Sequence, residues 1–295
     1  RVQEYINFKG DLNMKKGLMK KIIATAVLGI MTMGLAGCGS SNDKNSASKT
    51  DLLEKIQKNG KLVVGMSADY APYEFHYIDE NRKDVIGGFD VDIANEIANK
   101  IGVNLVIQEM DFDALVSALP AGKVDLVISG MNPTEERAKV VDFSEVYYNS
   151  KHGILVRAED ADKYQTFADL EGAKVGVQLG STQEKIAKTE IPNVNLQQLS
   201  NINNLILELK AGKVDAIVME KPVAEMAVKS NPELAVGKPI YEEQTGGNAV
   251  GIAKNNPQLL AKVNEVITEL NESGKMDEYI AKANELAATA NIVEE

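Results

Sequence analysis

The sequence predicts an α/β fold of two similar lobes, and three observations carry that prediction. From Asp51 onward strand-like and helix-like runs alternate, the pattern of folds with mostly parallel sheets and covering helices. The segment Leu119-Pro-Ala-Gly-Lys-Val-Asp-Leu-Val-Ile128 recurs 90 positions later as Leu209-Lys-Ala-Gly-Lys-Val-Asp-Ala-Ile-Val218. Each copy reads as a helix end, a capping glycine and a buried strand. Two copies are too few for a solenoid, so they mark two related units.

Residues 1–13 precede a start at Met14 and carry no structural signal. Lys15, Lys16, Lys20 and Lys21 then lead into the apolar run Ile22–Gly34, which ends in Leu35-Ala36-Gly37-Cys38. A positive start, an apolar segment and small residues before a processing site describe a signal peptide. The run is shorter than the roughly 20 residues a spanning helix needs. Leu-Ala-Gly-Cys resembles the bacterial lipobox, which implies cleavage before Cys38, acylation of its thiol and a chain tethered to the outer face of the cell membrane. Stable anchoring takes more than one acyl chain, which fits a diacylated cysteine. Residues 38–50 are Ser, Asn, Asp and Lys with almost nothing apolar, the composition of a flexible tether.

Cys38 is the only cysteine, so no internal disulfide and no thiolate metal site can form. Setting aside the six cationic and two acidic residues before Cys38 leaves 26 Lys+Arg against 41 Asp+Glu, a net charge of −15. That balance argues against nucleic acid, whose phosphates need clustered Lys and Arg.

The folded body begins near Asp51. Lys61-Leu-Val-Val-Gly65 is a short β-rich run, weakly echoed by Lys174-Val-Gly176. Phe89–Ile101 carries Val91, Ile93, Ala94, Ile97, Ala98 and Ile101 at helical spacing, and Gly102 ends it as a C-cap. In open α/β sheets ligands sit beyond the carboxyl ends of the strands. After the repeated strands these positions are Ser129-Gly130-Met131-Asn132 and Met219-Glu220. After the echoed strands they are Ser67-Ala68-Asp69-Tyr70 and Gln178-Leu179-Gly180-Ser181-Thr182. Thr134 is placed to cap a helix carrying Glu136 and Arg137. Arg137 either offers its planar fork to a carboxylate or pairs with a neighbouring Glu on a solvated face.

Asp69-Tyr-Ala-Pro-Tyr-Glu-Phe75, Gly87-Gly-Phe-Asp-Val-Asp92, Ser129-Gly-Met-Asn-Pro-Thr-Glu-Glu-Arg137, Asp142-Phe-Ser144 and Val175-Gly-Val-Gln-Leu-Gly-Ser-Thr182 together resemble the family 3 solute-binding proteins, the amino-acid receptors of ABC importers. The resemblance runs from about Asp51 to the C-terminus and keeps motif order and spacing. It implies a type II periplasmic-binding-protein fold in which two lobes, joined by two hinge strands, close over a free amino acid. Residues 51–148 and 241–295 would form one lobe and 149–240 the other, with hinges near Tyr147–Gly153 and Ile240–Gly247. By position, Arg137 would clamp the α-carboxylate, helped by Thr182 and the backbone around Asn132, with Ser181 among the other ligand-binding residues. Glu220 would take the α-ammonium, with the Ser129 hydroxyl or the Gly130 carbonyl opposite. Tyr70 and Phe112 would sandwich the side chain, and Gln178 would face its pocket. Receptors for cationic side chains often carry an acid where this chain has Ser67, so a polar uncharged amino acid such as glutamine or cystine is expected. Pro133 should hold Asn132 extended.

The implied partners are the free amino acid, an ABC permease with its ATPase, and the membrane through the lipid anchor. The receptor is expected to be a monomer with no cofactor. An enzyme is the rival class, but His76 and His152 are the only histidines, and there is no His-Glu-x-x-His, Gly-x-Ser-x-Gly or Walker loop. Asp90 and Asp92 lack the remaining spacing of a calcium loop and suit a helix N-terminus. A dehydratase on this same fold, with Glu220 as acid or base, stays open, as does a sensor that signals through a partner.

Overall fold

A computed structural model describes residues 51–149 and 151–292. The leader, Cys38 and the tether lie outside the described residues.

The body opens with α1 (Leu52–Asn59), whose N-cap Asp51 accepts from the Leu53 N–H. There follow β1 (Lys61–Met66), β2 (Asp69–Tyr70), β3 (Glu74–Ile78), β4 (Asp84–Gly87), α2 (Phe89–Ile101), β5 (Asn104–Glu109), α3 (Phe112–Ala118), β6 (Leu126–Val127), α4 (Glu135–Ala138) and β7 (Val141–Tyr148). The chain then runs through β8 (Lys151–Arg157), β9 (Lys174–Gln178), α5 (Thr182–Glu190), β10 (Asn195–Leu199), α6 (Ile202–Lys210), β11 (Ala216–Glu220), α7 (Lys221–Ser230) and β12 (Leu234–Glu242). It returns through β13 (Asn248–Ala253), α8 (Pro257–Ser273), α9 (Lys275–Thr289) and β14 (Asn291–Ile292).

Two five-stranded sheets form the two lobes, in the orders β5-β1-β6-β13-β7 and β10-β9-β11-β8-β12. In each, the first three strands are parallel, and the neighbouring strand that has crossed from the other sheet runs antiparallel. The expectation of mostly parallel sheets therefore holds for strand direction except at β13 and β8. The chain changes sheets between β7 and β8 and again between β12 and β13, so these are the hinge strands. A small sheet of β14, β3 and β2, with β4 on β3, flanks the first lobe.

The repeat explains why the lobes look alike. Gly122 and Gly212 both adopt left-handed backbone, at φ +65 and +70, where glycine costs least. Each turn then delivers an aspartate that grips the neighbouring strand twice. Asp125 donates its N–H to Val63 O and accepts from Val63 N at 2.9 Å. Asp215 does the same to Lys174, accepting at 2.8 Å. These clamps fix the register of β1 on β6 and of β9 on β11, and so aim all four strand ends at one crevice. Of α2, all six apolar positions picked by spacing are buried, and α8 and α9 pack over them.

Replacing either clamp, as Asp125→Ala or Asp215→Ala, leaves a strand N–H without its partner and should lower unfolding free energy by roughly 1–3 kcal/mol. Urea denaturation of each single variant checks this, and equal losses would show the two turns to be equivalent.

Candidate functional site

The residues beyond the strand ends meet in one crevice. Arg137 sits in the four-residue α4, whose N-cap Thr134 accepts from the Arg137 N–H at 3.3 Å. Its guanidinium donates to Asn132 O at 2.8 Å and, across the crevice, to Gly180 O at 3.0 Å. It also lies over the Phe112 ring, 5.4 Å from the centroid. Burial draws its pKa down to about 10, against the opposing fields of Glu243 and Glu136. No carboxylate among the described residues lies within ion-pair distance of it. Pairing with a neighbouring Glu on a solvated face is therefore not what this side chain does. Beside it Thr182 opens α5, and its hydroxyl oxygen is buried with no hydrogen-bond partner.

The opposite wall is built from Tyr70, Gly130 and Glu220. The Tyr70 hydroxyl accepts from Glu220 N at 3.1 Å and from the Gln183 amide at 3.3 Å, which leaves its own proton to donate. The fully buried Glu220 carboxylate accepts from the Tyr73 hydroxyl and, at 3.0 Å, from the Asn248 amide. That amide also donates to Gly130 O at 2.7 Å. Tyr73 comes from the first lobe and Glu220 from the second, so this bond spans the crevice. Asn132 turns its side-chain amide to Gly247 O at 3.1 Å and contributes to the crevice through its carbonyl.

Three residues picked from the sequence have hydroxyl or amide groups already engaged. Ser181 is the N-cap of α5; it accepts from Glu184 N and donates to Gln178 O at 2.7 Å, so its hydroxyl has no proton left for a carboxylate. The Ser-x-x-Glu spacing at 181–184 is a capping signal that could have shown this. Ser129 donates to Glu74 at 2.5 Å and accepts from Ser67 N, facing away from the crevice wall. Gln178 donates to Ser200 O at 3.0 Å and to Asp69 at 3.3 Å.

Asp69, a strand-end position to which the sequence assigns no role, is buried where Gln178 and Ile202 of the second lobe reach it. A cavity of about 270 Å³ there is lined by Ser67, Asp69, Glu109, Asp111, Ser200 and Asn201 among others. Asp69 accepts from the Ser67 hydroxyl at 3.1 Å and from Ile202 N at 2.6 Å. Burial raises its pKa to about 6, against those hydrogen bonds and that of Gln178.

The hinge carries a second buried polar network. His152, fully buried on β8, meets Glu243 at 2.5 Å through Nε2 and the Gln183 amide at 3.2 Å through Nδ1. Both ring nitrogens of His152 are thereby engaged. Glu243 also accepts from the Thr245 N–H and hydroxyl. The network thus ties both hinge segments to the residue after Thr182.

A profile of the bacterial extracellular solute-binding proteins, family 3, matches residues 62–284. The chain belongs to this family. Among known relatives, the arginine-binding extracellular protein ArtP of Bacillus subtilis is 37% identical over 90% of this chain and 98% of its own length. A probable histidine-binding protein of Campylobacter jejuni is 35% identical over 90% and 98%. The solved structure of AbpA, an amino acid ABC transporter substrate-binding protein of Streptococcus pneumoniae bound to L-arginine, superposes with a TM-score of 0.78 at 40% identity, over 80% of this chain and 99% of that one. Family 3 membership bears out the expected fold class and the amino-acid-binding, ABC-transporter class of function. A polar uncharged ligand finds no support, because arginine occupies the solved neighbour. Ser67 is not itself an acid, and its hydroxyl donates to the carboxylate of Asp69. No helix among the described residues is long and apolar enough to cross a membrane.

Burial raises the Glu243 pKa, but the His152 and Thr245 hydrogen bonds outweigh it and hold the pKa down to about 2. A depressed carboxylate contributes stability that is present above its unfolded value of 4.5 and lost as pH falls toward 2. Glu243→Gln should therefore flatten the loss of stability across that interval, as read by denaturation at several pH values.

Proposed function

We propose that this chain is an extracytoplasmic receptor that captures a free L-amino acid with a cationic side chain, arginine foremost, and hands it to an ABC permease by closing its lobes. The observation that carries the proposal is the polarity of the crevice. At one end stands Arg137, a half-buried cation with no carboxylate within ion-pair distance among the described residues. At the other is a cavity with Asp69, Glu109 and Asp111 on its wall and no Lys or Arg. Arginine has the reverse order of charges, an α-carboxylate at one end and a guanidinium at the other.

In this reading Arg137 forks the α-carboxylate and the Thr182 hydroxyl supplies the donor it does not use elsewhere. Glu220 and the Gly130 carbonyl receive the α-ammonium. Tyr70 and Phe112 flank the aliphatic stem, and Asp69, steadied by Gln178, meets the guanidinium. Asn132 acts through the carbonyl that holds Arg137. Ser181 acts by capping α5, and Ser129 by holding the Gly130 segment. Residues 51–148 with 241–295, and 149–240, act as the two moving lobes. Binding involves no bond making, and Cys38 carries the lipid that keeps the receptor at the membrane.

Calorimetry of the full chain, stripped of ligand by unfolding and refolding, tests this against arginine, lysine, histidine, glutamine and cystine. Arginine should bind tightest, without product. Arg137→Ala should weaken every ligand by about 10²–10³-fold, the loss of roughly 3–5 kcal/mol expected when one partner of a buried charge pair is removed. Asp69→Asn should weaken arginine by about tenfold or more while changing glutamine little; the reverse order would sink the cationic assignment. Because ionised Asp69 attracts the guanidinium and protonated Asp69 does not, arginine affinity should fall as pH drops below about 6.

A further inference from the structure

Behind the Gly130 wall lie two acids that no ligand contact explains. Glu74 on β3 and Asp90 in the first turn of α2 are both fully buried. One oxygen of each serves the binding segment: Glu74 Oε1 accepts from the Ser129 hydroxyl at 2.5 Å, and Asp90 Oδ2 accepts from Gly130 N at 2.8 Å and from the Tyr147 hydroxyl at 3.0 Å. The other oxygens, Glu74 Oε2 and Asp90 Oδ1, are buried and accept from no donor among the described residues. The two carboxyls lie within hydrogen-bonding reach of each other. Two carboxylates in contact, walled off from water, cannot both stay ionised without a large cost. A single proton between them removes one charge and satisfies both stranded oxygens.

We infer that Glu74 and Asp90 share one proton, carried by Glu74 Oε2 and donated to Asp90 Oδ1, and that this pair is the positioning element for Ser129 and Gly130. The second half rests on the reading of Gly130 as part of the ammonium site. The assignment of the proton to Glu74 follows from the partners. Asp90 receives two strong donors on one oxygen, which favours its charged form, while Glu74 receives one. Burial raises both groups, Glu74 further than Asp90, whose two donors oppose it, and the fields of Asp69 on Glu74 and of Glu220 on Asp90 act in the same direction as burial. Tyr147 is the remaining titratable neighbour, and burial pushes its hydroxyl up, so it stays a donor. The pair fixes the Ser129 hydroxyl and the Gly130 N–H from behind, while Asn248 fixes the Gly130 carbonyl from the front. That carbonyl's direction is then set by three groups, none of which is the ligand.

Glu74→Gln tests the pair, because an amide keeps both hydrogen bonds: its NH₂ donates to Asp90 and its oxygen accepts from Ser129. Infrared spectra of the full chain at neutral pH should show the carbonyl stretch of a protonated carboxyl in the wild type and lose it in Glu74→Gln. Unfolding measured across pH gives the second readout. A native state that keeps a proton after the unfolded chain has released it loses stability as pH rises above the unfolded carboxyl range. The wild-type unfolding equilibrium should therefore shift against Glu74→Gln by up to tenfold per pH unit. An unchanged infrared spectrum together with parallel pH profiles would overturn the shared proton. For the positioning role, Glu74→Ala should weaken arginine binding by about tenfold or more, and Glu74→Gln should restore most of it. Equal affinity in wild type and Glu74→Ala would overturn that role. Should Glu74→Ala not fold, a Glu74→Gln affinity as poor as that of Arg137→Ala would overturn it too. The infrared and pH readouts need no ligand, so failure of the arginine reading is separable from failure of the pair.

Discussion

The guanidinium of Arg137 is the constraint around which the crevice is arranged. It is half-buried, which lowers its basicity, it has two carbonyls and an aromatic face to hold it, and among the described residues no acid lies within ion-pair reach. A cation kept in that condition costs free energy unless an anion arrives. One of its two carbonyls, Gly180 O, belongs to the second lobe and the other, Asn132 O, to the first. The same group therefore touches both halves of the molecule.

Other cross-lobe bonds follow this logic. Tyr73 reaches Glu220, Asp69 reaches Gln178 and Ile202, and Tyr70 reaches Glu220 and Gln183. All are polar, and they line or border the crevice. A lobe interface made of such bonds comes apart at modest cost in water, where each partner is resolvated. A receptor that must open to release its cargo needs an interface of this kind. The hinge bond between His152 and Glu243, by contrast, lies where the strands cross and need not break on opening.

Much of this was legible in the sequence wherever the determinant is local or repeated. The glycine turns at Gly122 and Gly212, the α2 stripe ending at Gly102, and Thr134 as the cap before Arg137 are short-range signals, and the structure has each of them. What escaped was the pairing of residues far apart in the chain. Tyr73 and Glu220 are 147 positions apart, and no spacing rule links them. Asp69 is named among the strand-end positions but with no role, because the expected ligand class rests on one position, Ser67, whereas charge acts through space and an acid lies two residues later. The strand-end position of Ser181 suggests a ligand contact, but its hydroxyl is spent on capping α5. Glu74 and Asp90 looked like ordinary strand and helix-start residues, since burial that complete cannot be inferred from an acid's place in a motif.

Comparing L-arginine with agmatine, its analogue lacking the α-carboxylate, by calorimetry on the ligand-stripped full chain probes the Arg137 constraint most directly. The two share the guanidinium and the aliphatic stem and differ at the group assigned to Arg137. Binding of agmatine weaker than that of arginine by about 10²–10³-fold, matching the loss of a buried charge pair, is the expected result. Agmatine binding as tightly as arginine would contradict the account, since the half-buried cation would then have no part in holding the ligand.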